Sequence, residues 1–166
     1  MLLLSGCAVP EAGGSLRGRS GSPSPWAEVS ISPSLAQRIT ETIVEIGNLD
    51  PAVGGEESEQ WLRKTTRFFG GAKRVQWTDT RTCAAAPRML STMYDLEMPR
   101  PTEGGLIEVS ADGALYALST DGAFADGRLA RVSISSSGGT PLADWTERSL
   151  AELETCWSDR PPPGMR

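Results

Sequence analysis

Leu35, Ile39, Ile43 and Ile46 recur at helical spacing behind Ser32-Pro33, with Arg38, Glu41 and Glu45 off that face. Apolar residues three and four apart share one side of a helix. Ser suits the N-cap, Pro the first helical position, and Gly47-Asn48 a stop. The pattern predicts a helix over 33–46. A second helix is predicted over 56–69, with Trp61, Leu62, Thr65, Phe68 and Phe69 as its apolar stripe. Glu56, Glu57 and Glu59 come first in it and Arg63, Lys64 and Arg67 follow, the polarity that complements a helix dipole. Gly70-Gly71 ends it.

Alternation takes over at 73–78. Val75 and Trp77 point one way, Arg74 and Gln76 the other, as in a strand buried on one face. Beyond Thr82-Cys83 a third helix is expected, with Met89, Leu90, Met93 and Leu96 inward. Pro87 fits near its start, and Pro99 and Pro101 block its continuation. From Leu106 the period returns to two. Ile107 and Val109 form one strand, Asp112-Gly113 signals a hairpin, and Leu115, Ala117 and Ser119 form the next. A third follows, with Ala130, Val132 and Ile134 alternating with Arg131 and Ser133. Thr140-Pro141 then opens a final helix carrying Leu142, Trp145, Leu150, Leu153 and Trp157. Pro161-Pro162-Pro163 closes the ordered part. The expected fold is α+β, a two-layer domain of about four antiparallel strands with about four helices packed mainly on one face.

Size and composition bound the picture. The chain has 166 residues, enough for one domain with a single core, read here as 31–158. Asp and Glu number 21 against 16 Lys and Arg, with no basic block, so a nucleic-acid partner is not expected. No apolar run in the chain is long enough to span a bilayer.

The chain contains no histidine. That removes Ser-His-Asp and Cys-His catalysis, His-ligated zinc and the commonest general base. No CxxC pair is present. Carboxylate pairs remain. Glu41 and Glu45 share a predicted solvated helix face, Glu152 and Glu154 point in different directions, and Glu103 and Glu108 are near each other on a strand. Nothing in the sequence brings any pair into one site. Asp112, Asp121 and Asp126 are each followed by Gly, which is turn chemistry rather than a calcium loop. No catalytic residue, metal or cofactor is expected. Trp61, Trp77, Trp145 and Trp157 fall on predicted core faces. Trp26 lies outside every predicted element, docked on the domain or facing a partner.

Leu4-Ser5-Gly6-Cys7, behind Leu2 and Leu3, resembles the lipobox of bacterial lipoproteins. The resemblance covers four residues and is silent on the domain. It implies that 1–6 is the remnant of a signal peptide and that Cys7 carries thioether-linked diacylglycerol as the membrane anchor. The apolar stretch Met1 to Leu4 is too short for export, so this reading requires a start further upstream. Residues 7–30 then form a lipid-anchored flexible tether, rich in Gly, Ser, Pro and Arg, and 159–166 a disordered tail. Ala8, rather than Asp, follows the cysteine. The resemblance therefore implies the periplasm of a Gram-negative bacterium, with the anchor in the outer membrane.

An odd cysteine count in an exported protein leaves one residue to explain. With Cys7 lipidated, Cys83 and Cys156 remain as a disulfide pair, which an oxidising compartment preserves. Such a bond is worth roughly 4 kcal/mol in the chain-entropy model. The competing reading is two buried thiols in a cytosolic protein. The expected function is a non-enzymatic, lipid-anchored cell-envelope protein with a binding or scaffolding role toward an envelope protein or glycan. The alternative is a histidine-independent envelope hydrolase using paired carboxylates, which needs two acidic residues converging in one cleft.

Overall fold

The computed structural model describes residues 24–33, 38–49, 59–97, 113–124 and 126–163. Within them, β1 (Ala27–Ser32), β2 (Ile39–Asn48), β3 (Gln60–Phe68) and β4 (Lys73–Asp79) run as an antiparallel meander. Helix α1 (Ala85–Met93) follows, then β5 (Leu115–Ala123), β6 (Leu129–Ser137), α2 (Pro141–Glu152) and a 3-10 turn, Glu154–Cys156. All strands join one six-stranded sheet in the order β4-β3-β2-β1-β5-β6. β5 pairs with β1, so the first strand lies inside the sheet.

This corrects the two-layer α+β expectation of about four helices and about four strands. The described residues are mostly antiparallel sheet, with two α-helices. The helices expected over 33–46 and 56–69 are instead β2 and β3. Ile39, Thr40, Thr42, Ile43, Val44 and Ile46 are all β-branched, which stiffens χ1 and favours the pleat. Val44 and Ile46 are wholly buried two residues apart, a period of two that the helical reading of Ile43 and Ile46 passes over. In β3, Leu62 and Lys64 face the core while Arg63 and Arg67 face away. Their charges follow cross-strand partners rather than a helix dipole. β1 begins at Ala27, inside the stretch 7–30 expected to be a flexible tether, so the sheet takes in residues ahead of the domain start expected at 31. The strand expected at Leu106–Val109 lies outside the described residues, as do Cys7 and the lipobox.

The expected third and final helices are α1 and α2, and the strands expected near 75, 117 and 132 are β4, β5 and β6. Thr140 caps α2 by accepting the Ala143 N–H at 3.3 Å, with Pro141 at the first position. Trp157 falls beyond α2 and its 3-10 turn.

One face of the sheet carries the core. Ala27, Val29, Val44, Ile46, Leu62, Tyr116 and Leu118 meet Ala86, Met89, Leu90 and Met93 of α1 and Leu142, Ala143 and Trp145 of α2. The indole N–H of Trp145 donates to Thr92 Oγ1 at 3.0 Å, tying the two helices together. Removing such apolar surface from water is the main stabilising term.

Cys83 and Cys156 form a disulfide, with Cα atoms 5.6 Å apart. Asp79 sets up the first of them. Its buried carboxylate accepts the N–H groups of Arg81 and Thr82 at 2.9 and 2.8 Å and the Thr82 hydroxyl at 3.0 Å, shaping the turn that delivers Cys83. Past Cys156, Ser158 pairs with Trp77 through both backbone bonds, at 2.7 and 2.8 Å. The C-terminal segment therefore covers part of the β4 edge.

Candidate functional site

The face of the sheet away from the helices carries charge in ordered rows. Side chains directly opposite on neighbouring strands stand side by side. Glu28, Glu45, Arg63 and Trp77 form one such row across β1 to β4. Glu41, Arg67 and Lys73 form another across β2 to β4. Between them run Ile43, Thr65 and Val75. Together these rows line a concavity of about 350 Å³, bounded by Glu28, Glu45, Arg63, Arg67 and Lys73 with Ile43, Thr65 and Val75 as its floor.

The strands fix these side chains. Arg63 donates from Nε and from a terminal nitrogen to both oxygens of Glu45, each at 2.5 Å. Charge-assisted bidentate pairs are the stronger hydrogen bonds. The same guanidinium lies 5.5 Å from the Trp77 ring centroid. Arg67 donates to Glu41 at 2.6 Å. Glu28 and Lys73 have no ion-pair partner among the described residues. Arg63 and Arg67, four residues apart on one strand, stand about 13 Å apart.

Each sequence candidate has a definite place. Glu41 and Glu45 do share a face, but it belongs to a sheet, and each is taken by an arginine. Glu152 contacts Arg88 of α1 at 3.5 Å, while Glu154 contacts Lys64 at 3.3 Å, so they diverge. Asp121 and Asp126 pair with Arg131 and Arg128. Glu103, Glu108 and Asp112 lie outside the described residues. Trp61 and Trp145 are buried; Trp77 and Trp157 are half-buried. Trp26 packs partly against the core, and its backbone N–H donates to Ile46 O at 2.9 Å.

Two arrangements were not foreseen from sequence. Glu28 and Glu45 are direct cross-strand partners in the same concavity. The signal was the alternation of Ala27, Val29 and Ile31 with Glu28 and Ser30, hidden by the surrounding Ser and Pro. The second is Lys64, buried on the helix-covered side of β3. Its ammonium lies 4.6 Å from the Trp157 ring centroid and within 3.3 Å of Glu154. Burial lowers its pKa below the ordinary lysine value, and Glu154 offsets this only in part. A lysine placed against an indole is held by cation–π attraction as well as by its ion pair.

Chemically, the concavity offers Glu28 and the Glu45–Arg63 pair at one end of an uncharged floor and the cations Arg67 and Lys73 at the other. Both oxygens of Glu45 are engaged by Arg63, so the Glu28–Glu45 pair does not present two free carboxylates to a substrate. The arrangement suits recognition of a polar partner bearing both signs of charge. No family model, curated protein or solved structure matches the chain.

Proposed function

We propose that this chain is a lipid-anchored domain of the Gram-negative cell envelope that binds or scaffolds rather than catalyses. Its anchor is diacylglycerol on Cys7, in the outer membrane and facing the periplasm. Its docking surface is the concavity between the Arg63 and Arg67 rows, and its partner is an envelope protein or glycan carrying both anionic and cationic groups.

The observation that carries this reading is the pairing of Cys83 with Cys156. Of the three cysteines in the chain, that pair accounts for two and leaves Cys7, which follows the lipobox-like Leu4-Ser5-Gly6. A structural disulfide of this kind belongs to an oxidising compartment. The engaged state of Glu45 favours binding over the alternative of a paired-carboxylate hydrolase.

Mass spectrometry of the natural protein from fractionated membranes tests the address. The expected result is a mature chain beginning at lipid-modified Cys7 with Cys83 and Cys156 oxidised. An unmodified Met1 or free thiols at those two positions would refute it. For the docking surface, Arg67→Glu combined with Lys73→Glu should abolish retention of envelope partners while leaving the melting curve largely in place. Unchanged retention would remove the concavity from the proposal.

A further inference from the structure

The two edges of the sheet are treated differently. β4 carries Lys73 and Arg74, and its backbone is bridged at Trp77 by Ser158. Charge and cover of this kind keep an edge from pairing with other chains. β6 has no such cover and a single charge among the described residues. It is nine residues long, LARVSISSS, with Arg131 its only charge. Exposed apolar side chains gather beside it: Leu129 at 78%, Val132 at 37%, Phe124 at 58% and Tyr94 at 76%. A mostly apolar groove of about 220 Å³, lined by Met93, Tyr94, Leu96, Leu118, Val132 and Ile134 together with Thr120 and Asp121, adjoins it.

The backbone direction follows from the hairpin. Phe124 N–H donates to Arg128 O at 2.8 Å, and inward and outward pairs alternate from there along an antiparallel ladder. Ala130, Val132, Ile134 and Ser136 therefore bond toward β5. Leu129, Arg131, Ser133, Ser135 and Ser137 turn their N–H and C=O groups outward. Ser133 and Ser119 are consistent with this, since their hydroxyls meet at 2.9 Å as in a closely spaced, non-bonded pair.

We infer that β6 pairs antiparallel with β6 of a second copy about a two-fold axis at Ser133, making one continuous sheet. This register satisfies every outward backbone group of the strand. It sets Val132 opposite the other copy's Ile134 on the helix-covered side, next to the apolar groove. Charge also permits it. Arg131 falls opposite Ser135, so the two Arg131 side chains are about 13 Å apart, beyond the screening length at physiological salt. Each is already paired with Asp121 at 3.1 Å. A closed two-fold contact of this kind uses one surface on both copies. A single strand pair is small against the roughly 1,200 Å² of a stable complex, so association is weak and micromolar. The inference stands independently of the membrane anchor.

Sedimentation of the full chain from low micromolar to near-millimolar concentration tests it. The unaltered protein should move from monomer to dimer. Ser135→Arg places like charges opposite each other twice per dimer and should weaken association about tenfold; Ser135→Glu meets Arg131 twice and should tighten it by a similar factor. Opposite shifts from one site cannot arise from a general loss of folding, which circular dichroism monitors. Ser133→Pro removes an outward donor without touching the β5 ladder and should abolish the dimer. A chain that stays monomeric throughout overturns the inference, whatever else the edge binds. So does a dimer on which the two Ser135 variants act alike.

Discussion

The indole of Trp61 fills the space where a side chain at Gly47 would stand. The two residues are direct partners on β3 and β2, and a Cβ at Gly47 would overlap the ring. The ring is fixed, since its N–H donates to Asn48 O at 3.1 Å. Gly47→Ala should destabilise by about 1–3 kcal/mol through overpacking. Trp61→Phe in the same chain should make the alanine cheaper, so the two changes will be less than additive in denaturant unfolding. Full additivity would show that the indole does not occupy that space.

Arg63 and Glu45 should couple measurably. The pair is bidentate and half-buried, and Trp77 supports the guanidinium, so a double-mutant cycle should yield about 1 kcal/mol. Arg63→Lys keeps the charge but loses the planar fork, and it should recover less than half of that coupling. Full recovery by lysine would mean that only net charge matters there.

Reduction should release the C-terminal segment. Breaking Cys83–Cys156 should lower stability by about 4 kcal/mol in the chain-entropy model. The backbone pair between Ser158 and Trp77 depends on that anchorage, so amide exchange at both residues should accelerate on reduction while β1 stays protected. Equal exchange before and after reduction would show that the segment holds itself in place.

Tyr116 should titrate late. Burial first, then the O–H bond it donates to the Glu147 carboxylate, pushes its phenol up to about 12 from an ordinary 10.0. The folded form therefore keeps a proton that the unfolded chain has already lost. This contribution to stability is complete below pH 10 and disappears as the pH rises through about 12. Absorbance titration of the folded protein should show a phenolate transition near 12 that Tyr116→Phe removes. Glu147→Gln should move it down without returning it to the ordinary value, because burial remains. A transition unchanged by Tyr116→Phe would refute the assignment.

Legibility in the sequence depended on which spacings discriminate. A step of four residues returns a side chain to the same side in a helix and in a strand alike. Glu41 with Glu45, and Arg63 with Arg67, were therefore compatible with either. The deciding positions were the steps of two, Val44 to Ile46 and Leu62 to Lys64, and the last of these is a lysine. α2 was readable from its Thr140 cap and Pro141, α1 from its apolar spacing with Pro87 near its start, and β4 to β6 from alternation bounded by turn residues. The concavity was not readable at all. It exists only once β1 to β4 lie in register, and that register brings residues from distant stretches of chain into one row. The cysteine pair followed in the sequence only from setting Cys7 aside as the lipidated residue, without geometry, and two free thiols stayed open beside it.

The place of β1 inside the sheet has a kinetic consequence. β1 to β4 are neighbours in sequence and can pair as successive hairpins. Ala27, however, pairs with Ile46 on one side and with Thr120 on the other. The sheet is complete only when the β5–β6 hairpin finds an edge left open since the start of the chain. Contacts of such separation slow folding. Docking of that hairpin on β1 should therefore be the late, rate-limiting event. Until then the first strand remains an unfinished edge, and the newly made protein is at its most vulnerable to pairing with the wrong chain.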